Sequence, residues 1–491
     1  MSQTYLAFDL GASSGRAVAG TFDGSKVDLE EVHRFTNGGV SAGAGLHWDA
    51  LRLFGEMLTG LRMCVQRSGP ELMGIGIDTW GVDFALLDAN DELLGNPRCY
   101  RDPRVNGMMD KAFSTVSKEE IFSETGLQFM EFNTLFQLYA MAHEKSPQLE
   151  IAKTFLMMPD LFNFWFTGRK VCEFSDATTT QFYNPQTRDW ATGLLDRLEI
   201  PSDMLPEIAP SGTPLGSVRT DLAAEAGLKS GQVIAPACHD TGSAVAAVPM
   251  TGENSIYISS GTWALLGAEL REPSISPAAL EHNFTNEGGV FDTFRFLKNI
   301  SGLWMVQECR RIWENEGHSY SFAELTKLAS EAPPLAAAVD PDHADFVSPG
   351  DMHSRILAYC KRTGQEEPQT HGAIVRCTLE GLALKCRQVL RNLEQVLDKK
   401  IDTIHIVGGG IQNILLCQFT ADATGLPVVA GPVEATALGN ILMQAYACGE
   451  LGSLQEIREV VRNSTELITY EPVGTEAWDA FYEGVFVGLG H

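Results

Sequence analysis

Phe8-Asp9-Leu10-Gly11-Ala12-Ser13-Ser14-Gly15-Arg16 joins an apolar run, Tyr5–Leu10, to an alternating run, Arg16–Thr21, and Asp23-Gly24 then turns the chain again. The pattern predicts two strands folded back on a turn of small residues. Such a turn exposes successive N–H groups and lets phosphate oxygens come close to the backbone. Ser13 and Ser14 add hydroxyl donors, and Asp9, on the strand just before, is placed to hold Mg²⁺ directly or through water. No Gly-Lys-Ser/Thr follows and a strand, not a helix, comes next, so this is neither a Walker A loop nor a dinucleotide-binding fingerprint.

Further along, the layout restarts. Ser255–Ser260 reads as a strand, Gly261-Thr262 as a turn and Trp263–Leu270 as a strand again. Met73–Asp78 is an apolar strand ending in Thr79-Trp80-Gly81, and Thr403–Val407 ends likewise in Gly408-Gly409-Gly410. Each half thus opens with a hairpin and carries a later strand ending in glycine, which points to a duplicated α/β unit. Two small-residue turns could grip a polyphosphate from both sides. The three glycines leave bare backbone against which adenine or ribose could lie, although a close strand–helix turn needs the same residues. Helical spacing marks Trp48–Val65, about Arg104 to Gly168, Gly302–Asn315, Ala373–Leu397, Ile411–Thr424 and Glu434–Cys448. Strands alternating with helices imply sheets covered by helices. The boundary is expected between His239 and Gly252, giving domains 1–245 and 246–491 with a tight hinge and a cleft.

Val233–Ala237 is a strand leading into His239-Asp240-Thr241-Gly242. Phosphoryl transfer asks the protein to position a nucleophile, accept its proton and neutralise oxygen charge. A carboxylate at Asp240 suits the acceptor role, and His239 can donate to hydroxyls. Asp240 could equally cap the helix that begins there. Arg101, Asp102 and Arg104 read either as a surface ion-pair cluster or as part of a substrate wall.

With 491 residues the chain is too long for one core, and its 44% hydrophobic and 20% charged content is ordinary for globular proteins. The formal net charge of -27 and the lack of a basic run argue against nucleic acid as a partner. The 10 cysteines show no CxxC pair or metal-ligand spacing and read as free thiols of a reducing cytoplasm. No apolar run approaches the roughly 18 residues that span a bilayer, and no signal peptide is evident. A soluble, cytoplasmic protein with no membrane partner is the expectation; its oligomeric state is left open.

Taken together, these motifs resemble the FGGY carbohydrate kinases, members of the sugar kinase, actin and chaperone superfamily. The resemblance covers nearly the whole chain. Asp9–Arg16 is similar to the family's first phosphate motif and Ser259–Trp263 to its second. Gly408–Asn413, with Ala421–Val428 and Glu434–Asn440, resembles its adenosine-side signature. Ile77–Asp83, Tyr100–Arg104, Phe132–Leu138, Ala177–Gln181, Thr285–Gly289 and Lys298–Trp304 resemble one ketose-specific branch of it. Met158–Trp165 stands where many members carry a Lys-x-Trp signature, which keeps those members' sugar contacts from being carried over.

The resemblance implies two ribonuclease H-like domains with an intervening cleft, and ATP and Mg²⁺ as cofactors. It implies Asp240 as general base on the C1 hydroxyl of a ketose, with Gly81, His239, Asp240, Thr241 and Asn299 on the sugar. It places Ala12, Ser13, Ser14, Gly15, Arg16, Thr262, Gln307 and Gly409 on ATP, and Asp9 at the metal. A non-catalytic ATP-dependent switch of the same superfamily is the rival from another class, and it would not depend on Asp240 as a base.

Overall fold

The computed structural model describes residues 2–43, 45–347 and 350–490. Its contacts divide the chain into two compact units: Met1–Ala247 with Glu269–Phe296 and Ala435–Ser464, and Val248–Ala268 with Leu297–Glu434 and Thr465–His491. The division at residue 245 expected from the chain pattern is contiguous; the packing units are interleaved, because Ala435–Ser464 packs on the first sheet and Thr285–Gly288 packs on the helical turn Phe174–Ala177.

The first unit is built on six strands in the order Thr213–Ser217, Ser230–Ala235, Glu71–Thr79, Gln3–Leu10, Ser14–Phe22, Val27–Thr36. Ser230–Ala235, Glu71–Thr79 and Gln3–Leu10 are mutually parallel neighbours, and the rest pair antiparallel. Glu71–Thr79 is buried on both faces from Gly74 onward, as a central parallel strand requires. The helix Ala50–Ser68 begins at Asp49, whose side chain accepts from Arg52 N, and turns Ala50, Leu53, Met57, Gly60, Leu61 and Cys64 inward. The helical spacing read over Trp48–Val65 is thus realised, with Leu53, Met57 and Leu61 buried although Leu51 stays exposed, and each large side chain so buried stabilises by about 1.5–3 kcal/mol. On the sheet's other face lies the helix Ala435–Ala447. Strand glycines admit it: a Cβ on Gly20 would meet Ile441 at 2.5 Å, one on Gly74 would meet Gln444 at 2.6 Å, and one on Gly76 would meet Asn440 at 2.2 Å.

In the second unit the corresponding order recurs: Ile468–Tyr470, Val428–Ala430, Thr403–Val407, Ser255–Ser260, Trp263–Leu270, Phe294–Ser301. Again three neighbours are parallel and a hairpin of adjacent strands follows. The duplication read from two hairpins therefore extends through six strands of each sheet. The 27-residue helix His371–Leu397 supplies much of this unit's core, with Leu379, Leu382, Ala383 and Leu384 packed among Trp313, Phe346 and Ile356.

The predicted helical stretch from Arg104 to Gly168 is broken. The strand Thr154–Met157 interrupts it and pairs antiparallel with Phe84–Leu87. A four-residue apolar run carries too little periodicity to distinguish strand from helix. Nine of the ten cysteines are buried and all are unpaired thiols. Among the described residues no helix is long and apolar enough to cross a membrane.

Candidate active site

Three carboxylates stand at the carboxyl ends of the parallel strands in the first unit. Asp9 and Asp78 are register partners on adjacent strands. Thr79 bridges His239, with Thr79 N donating to Cys238 O at 2.9 Å, so Asp240 follows the third strand end. The carboxyl ends of parallel strands are where open α/β sheets bind ligands.

Around Asp9 the hairpin forms as the sequence implies. Ala12 and Ser13 are the turn, closed by Gly11 N donating to Ser14 O at 2.9 Å, and Ser14–Arg16 open the return strand. Asn37 braces the turn, its Nδ2 donating to Gly11 O at 2.8 Å. Arg16 reaches back to Asp9 Oδ2 through Nε at 3.0 Å and Nη2 at 2.8 Å. Asp78 is fully buried. Asn440 Nδ2 donates to its Oδ2 at 2.5 Å, Gln444 Nε2 donates to Asn440 Oδ1 at 2.7 Å, and its Oδ1 has no hydrogen-bond partner. Burial first, then the charge on Asp9, pushes the Asp78 carboxyl well above the usual carboxylate range.

Asp240 opens the helix Asp240–Ala246 without capping it. The N-cap position is His239, whose side chain makes no capping bond. The Asp240 side chain is 29% exposed, and its Oδ1 accepts from Thr241 Oγ1 at 3.1 Å with His239 Nε2 at 3.5 Å. Burial raises its pKa above the normal value, His239 opposes that rise, and Asp9 adds to it. His239 is held from behind: Arg295 Nη2 lies 3.1 Å from Nδ1, and Glu287 Oε2 lies 3.4 Å from the same nitrogen.

Gly81 follows Glu71–Thr79 in a loop whose backbone is strained. Val82, a β-branched residue, has φ 69°, a region such residues rarely enter. Thr179 Oγ1 accepts from Val82 N at 3.0 Å, and Val82 O accepts from Thr134 Oγ1 at 2.7 Å and Gln137 Nε2 at 3.2 Å. A Cβ on Gly81 would meet Thr179 at 2.9 Å. Beneath it Asp83 gathers four donors: Trp48 Nε1 at 2.6 Å, Trp80 Nε1 at 3.0 Å, Tyr100 N at 3.1 Å and Gln137 Nε2 at 2.9 Å. Its burial nonetheless raises its pKa to about 6. Arg104 joins this network through Gln137 Oε1 at 2.9 Å, while Asp102 is 2% exposed and accepts from Leu46 N at 2.6 Å and Arg98 Nη1 at 3.0 Å. The surface-cluster reading of Arg101–Arg104 thus fails for Asp102 and Arg104. Trp80 is core, packed 4.1 Å between ring centroids from Trp48.

In the second unit, Thr262 sits in the hairpin turn and its Oγ1 donates to Gln307 Oε1 at 3.3 Å. The turn is strapped by Gly302 N to Thr262 O at 3.1 Å and Leu303 N to Gly261 O at 3.0 Å. Any Cβ at Gly302 would strike the backbone of Gly261, Thr262 and Trp263 within 2.7 Å. The glycine triplet packs on the same strand end: Gly408 has φ +88°, and a Cβ on Gly410 would lie 2.0 Å from Ser260 Oγ. Gly409 alone of the three is open, with nothing within 4 Å. Thr262, Gln307 and Gly409 are therefore gathered in one locality, and Asn299 lies on the strand Phe294–Ser301. Asp78, Val82, Asp83 and Glu287 fall inside motifs read from the sequence without a role of their own, Arg295 lies outside those motifs, and Asn440, read within the adenosine-side stretch Glu434–Asn440, instead donates to Asp78. A charge embedded in an apolar strand was the available signal.

Among the described residues no group of three or more His, Cys, Asp or Glu is arranged to hold a metal ion. A divalent cation at Asp9 would draw its remaining ligands from phosphate and water, which is how Mg²⁺ commonly binds. The hard carboxylate oxygen of Asp9 fits that chemistry.

Known proteins resemble this chain along nearly its whole length. Residues 4–247 match the N-terminal domain, and residues 256–448 the C-terminal domain, of the FGGY family of carbohydrate kinases. The protein is 44% identical over 476 residues to a rhamnulokinase of Oceanobacillus iheyensis, covering 97% of this chain and 100% of that one. It is 42% identical over 482 residues to a rhamnulokinase of Bacteroides thetaiotaomicron, covering 98% of each. Among solved structures, a ligand-bound xylulose kinase from Lactobacillus acidophilus superposes with TM-score 0.81 at 17% identity over 99% of this chain and 97% of that one. Plasmodium falciparum glycerol kinase with ADP gives 0.79 at 14% identity over 99% and 98%. Motifs, sheet order and relatives converge, and this chain belongs to the FGGY family of carbohydrate kinases.

Proposed function

We propose that this kinase transfers the terminal phosphoryl group of ATP to the C1 hydroxyl of L-rhamnulose, giving L-rhamnulose 1-phosphate and ADP in L-rhamnose catabolism. Relatives named rhamnulokinase, aligned along nearly the whole chain, support the choice of sugar. The observation that carries the chemistry is Asp240: a part-exposed carboxylate at a parallel-strand end, beside His239 and Thr241.

In this reading Asp240 accepts the proton of the attacking hydroxyl, and Gly81, His239, Thr241 and Asn299 orient the sugar. The turn Ala12–Arg16 donates to the phosphates, while Thr262, Gln307 and the open Gly409 hold the nucleotide. Asp9 would hold Mg²⁺, which neutralises phosphate charge when bound. A raised Asp240 pKa is suited to this work, because a base far below the working pH drives proton transfer weakly.

A coupled assay of ADP release with L-rhamnulose, with a panel of other ketoses, and without sugar tests the proposal. Turnover should require L-rhamnulose; equal rates on unrelated sugars would remove it as the substrate. Asp240→Asn should cut kcat on the order of 100–10,000-fold while nucleotide affinity stays near wild type. Unchanged turnover in that variant would refute Asp240 as the base.

A further inference from the structure

Behind His239 lies a buried ion pair that the phosphoryl-transfer chemistry does not itself demand. Arg295 is 0% exposed on the strand Phe294–Ser301. Its Nε donates to Gly288 O at 2.7 Å, Nη1 lies 3.2 Å from Glu287 Oε2, and Nη2 lies 3.1 Å from His239 Nδ1. Glu287 is itself 5% exposed. The backbone N–H of His239 donates to Ser175 Oγ at 3.0 Å, so the ring's base is fixed as well as its far edge.

Guanidinium carries donors only and does not lose its proton in proteins. A hydrogen bond between Arg295 Nη2 and His239 Nδ1 therefore requires the lone pair on Nδ1. The proton of the neutral imidazole must then sit on Nε2, the nitrogen 3.5 Å from Asp240 Oδ1. Glu287 Oε2, at 3.4 Å, would favour the opposite tautomer, but its charge faces Arg295 at the shorter distance. The tautomer matters because of what stands at Nε2. As N–H it donates to Asp240 or to a sugar oxygen; as a bare lone pair it would be a second base competing for the same proton.

We propose that Arg295 and Glu287 are positioning residues that hold His239 in the Nε2–H tautomer, so that Asp240 is the only proton acceptor at this edge. The proposal rests on the reading of Asp240 as the base, and its test separates the two. In the full-length protein labelled with ¹⁵N-histidine, long-range ¹H–¹⁵N correlation spectra distinguish the tautomers, and His239→Gln identifies the His239 signals. Wild type should show Nε2–H at neutral pH. Arg295→Met/Glu287→Met, which removes both buried charges together, should show mixed tautomers. Its kcat should fall on the order of 10–100-fold with KM for ATP unchanged. Arg295→Lys, still a donor-only cation, should restore the tautomer and most of kcat. An Nδ1–H tautomer in wild type, or an unaltered Nε2–H tautomer in the double variant, overturns the proposal; the wild-type spectrum decides even if the double variant does not fold. If Asp240→Asn turns over normally, the base assignment fails while the tautomer result stands on its own.

Discussion

Single buried carboxyls tie stability and activity to pH here. Asp83 has a folded-state pKa of about 6, above its unfolded value, so the native state holds this proton more tightly. Its contribution is most favourable below the unfolded value near 4 and is lost as pH rises through about 6. The change is on the order of 3 kcal/mol. Urea midpoints of wild type and Asp83→Asn compared from pH 4 to pH 7 should therefore diverge, wild type losing ground as pH rises; parallel curves would contradict the shift. Asp240 acts through rate instead. A base works deprotonated, so kcat/KM should fall as pH drops, on a limb lying above the ordinary carboxylate range because burial raises this group. A limb near pH 4 would contradict it. Asn440→Ala removes the Nδ2 donor to the buried Asp78 Oδ2 and should cost about 1–3 kcal/mol, read from thermal or urea denaturation.

Elements meet closely enough here that single methyl groups discriminate between helix contacts. Ala435–Ala447 approaches Asp240–Ala246 at Gly439, where a Cβ would stand 1.8 Å from the backbone oxygen of Ser243. Backbone cannot swing aside as a side chain can, so Gly439→Ala should destabilise by about 1–3 kcal/mol or more and shift the helix that begins at Asp240. Reduced kcat should accompany the lower melting temperature. Gly55 is the contrast: it lies in the exposed middle of Ala50–Ser68 with nothing within 4 Å. Gly55→Ala should stabilise by about 0.5–1 kcal/mol through backbone entropy alone, with activity unaltered. Equal effects at the two positions would refute the close approach at Gly439.

At the scale of the whole molecule, one face of the first sheet is covered by the helix Ala435–Ala447, which comes long after the sheet's last strand in sequence. Gly74 and Gly76 are shaped for Gln444 and Asn440, and Asp78 depends on Asn440. A fragment ending at residue 247 should therefore lack a cooperative unfolding transition, as measured by circular dichroism against urea, despite containing all six strands of the sheet. Cooperative unfolding of that fragment would show that the later helix is dispensable.

Local chemistry was legible from the chain alone: both hairpins, the strands Ser255–Ser260, Trp263–Leu270 and Thr403–Val407, the amphipathic helix after Asp49, and the motifs that mark the family. These follow from periodicity and turn residues, which act over a few positions. Thr154–Met157 was not legible, because a short apolar run becomes a strand only when Phe84–Leu87 offers it a partner. Nor were the settings of the site residues. That Asp78 is buried, that Asp83 gathers four donors, that Val82 is strained and that Arg295 stands behind His239 all depend on residues far apart in sequence. Solvent exclusion and charge proximity set protonation and tautomer, and both are properties of the folded neighbourhood, which no stretch of chain carries within itself.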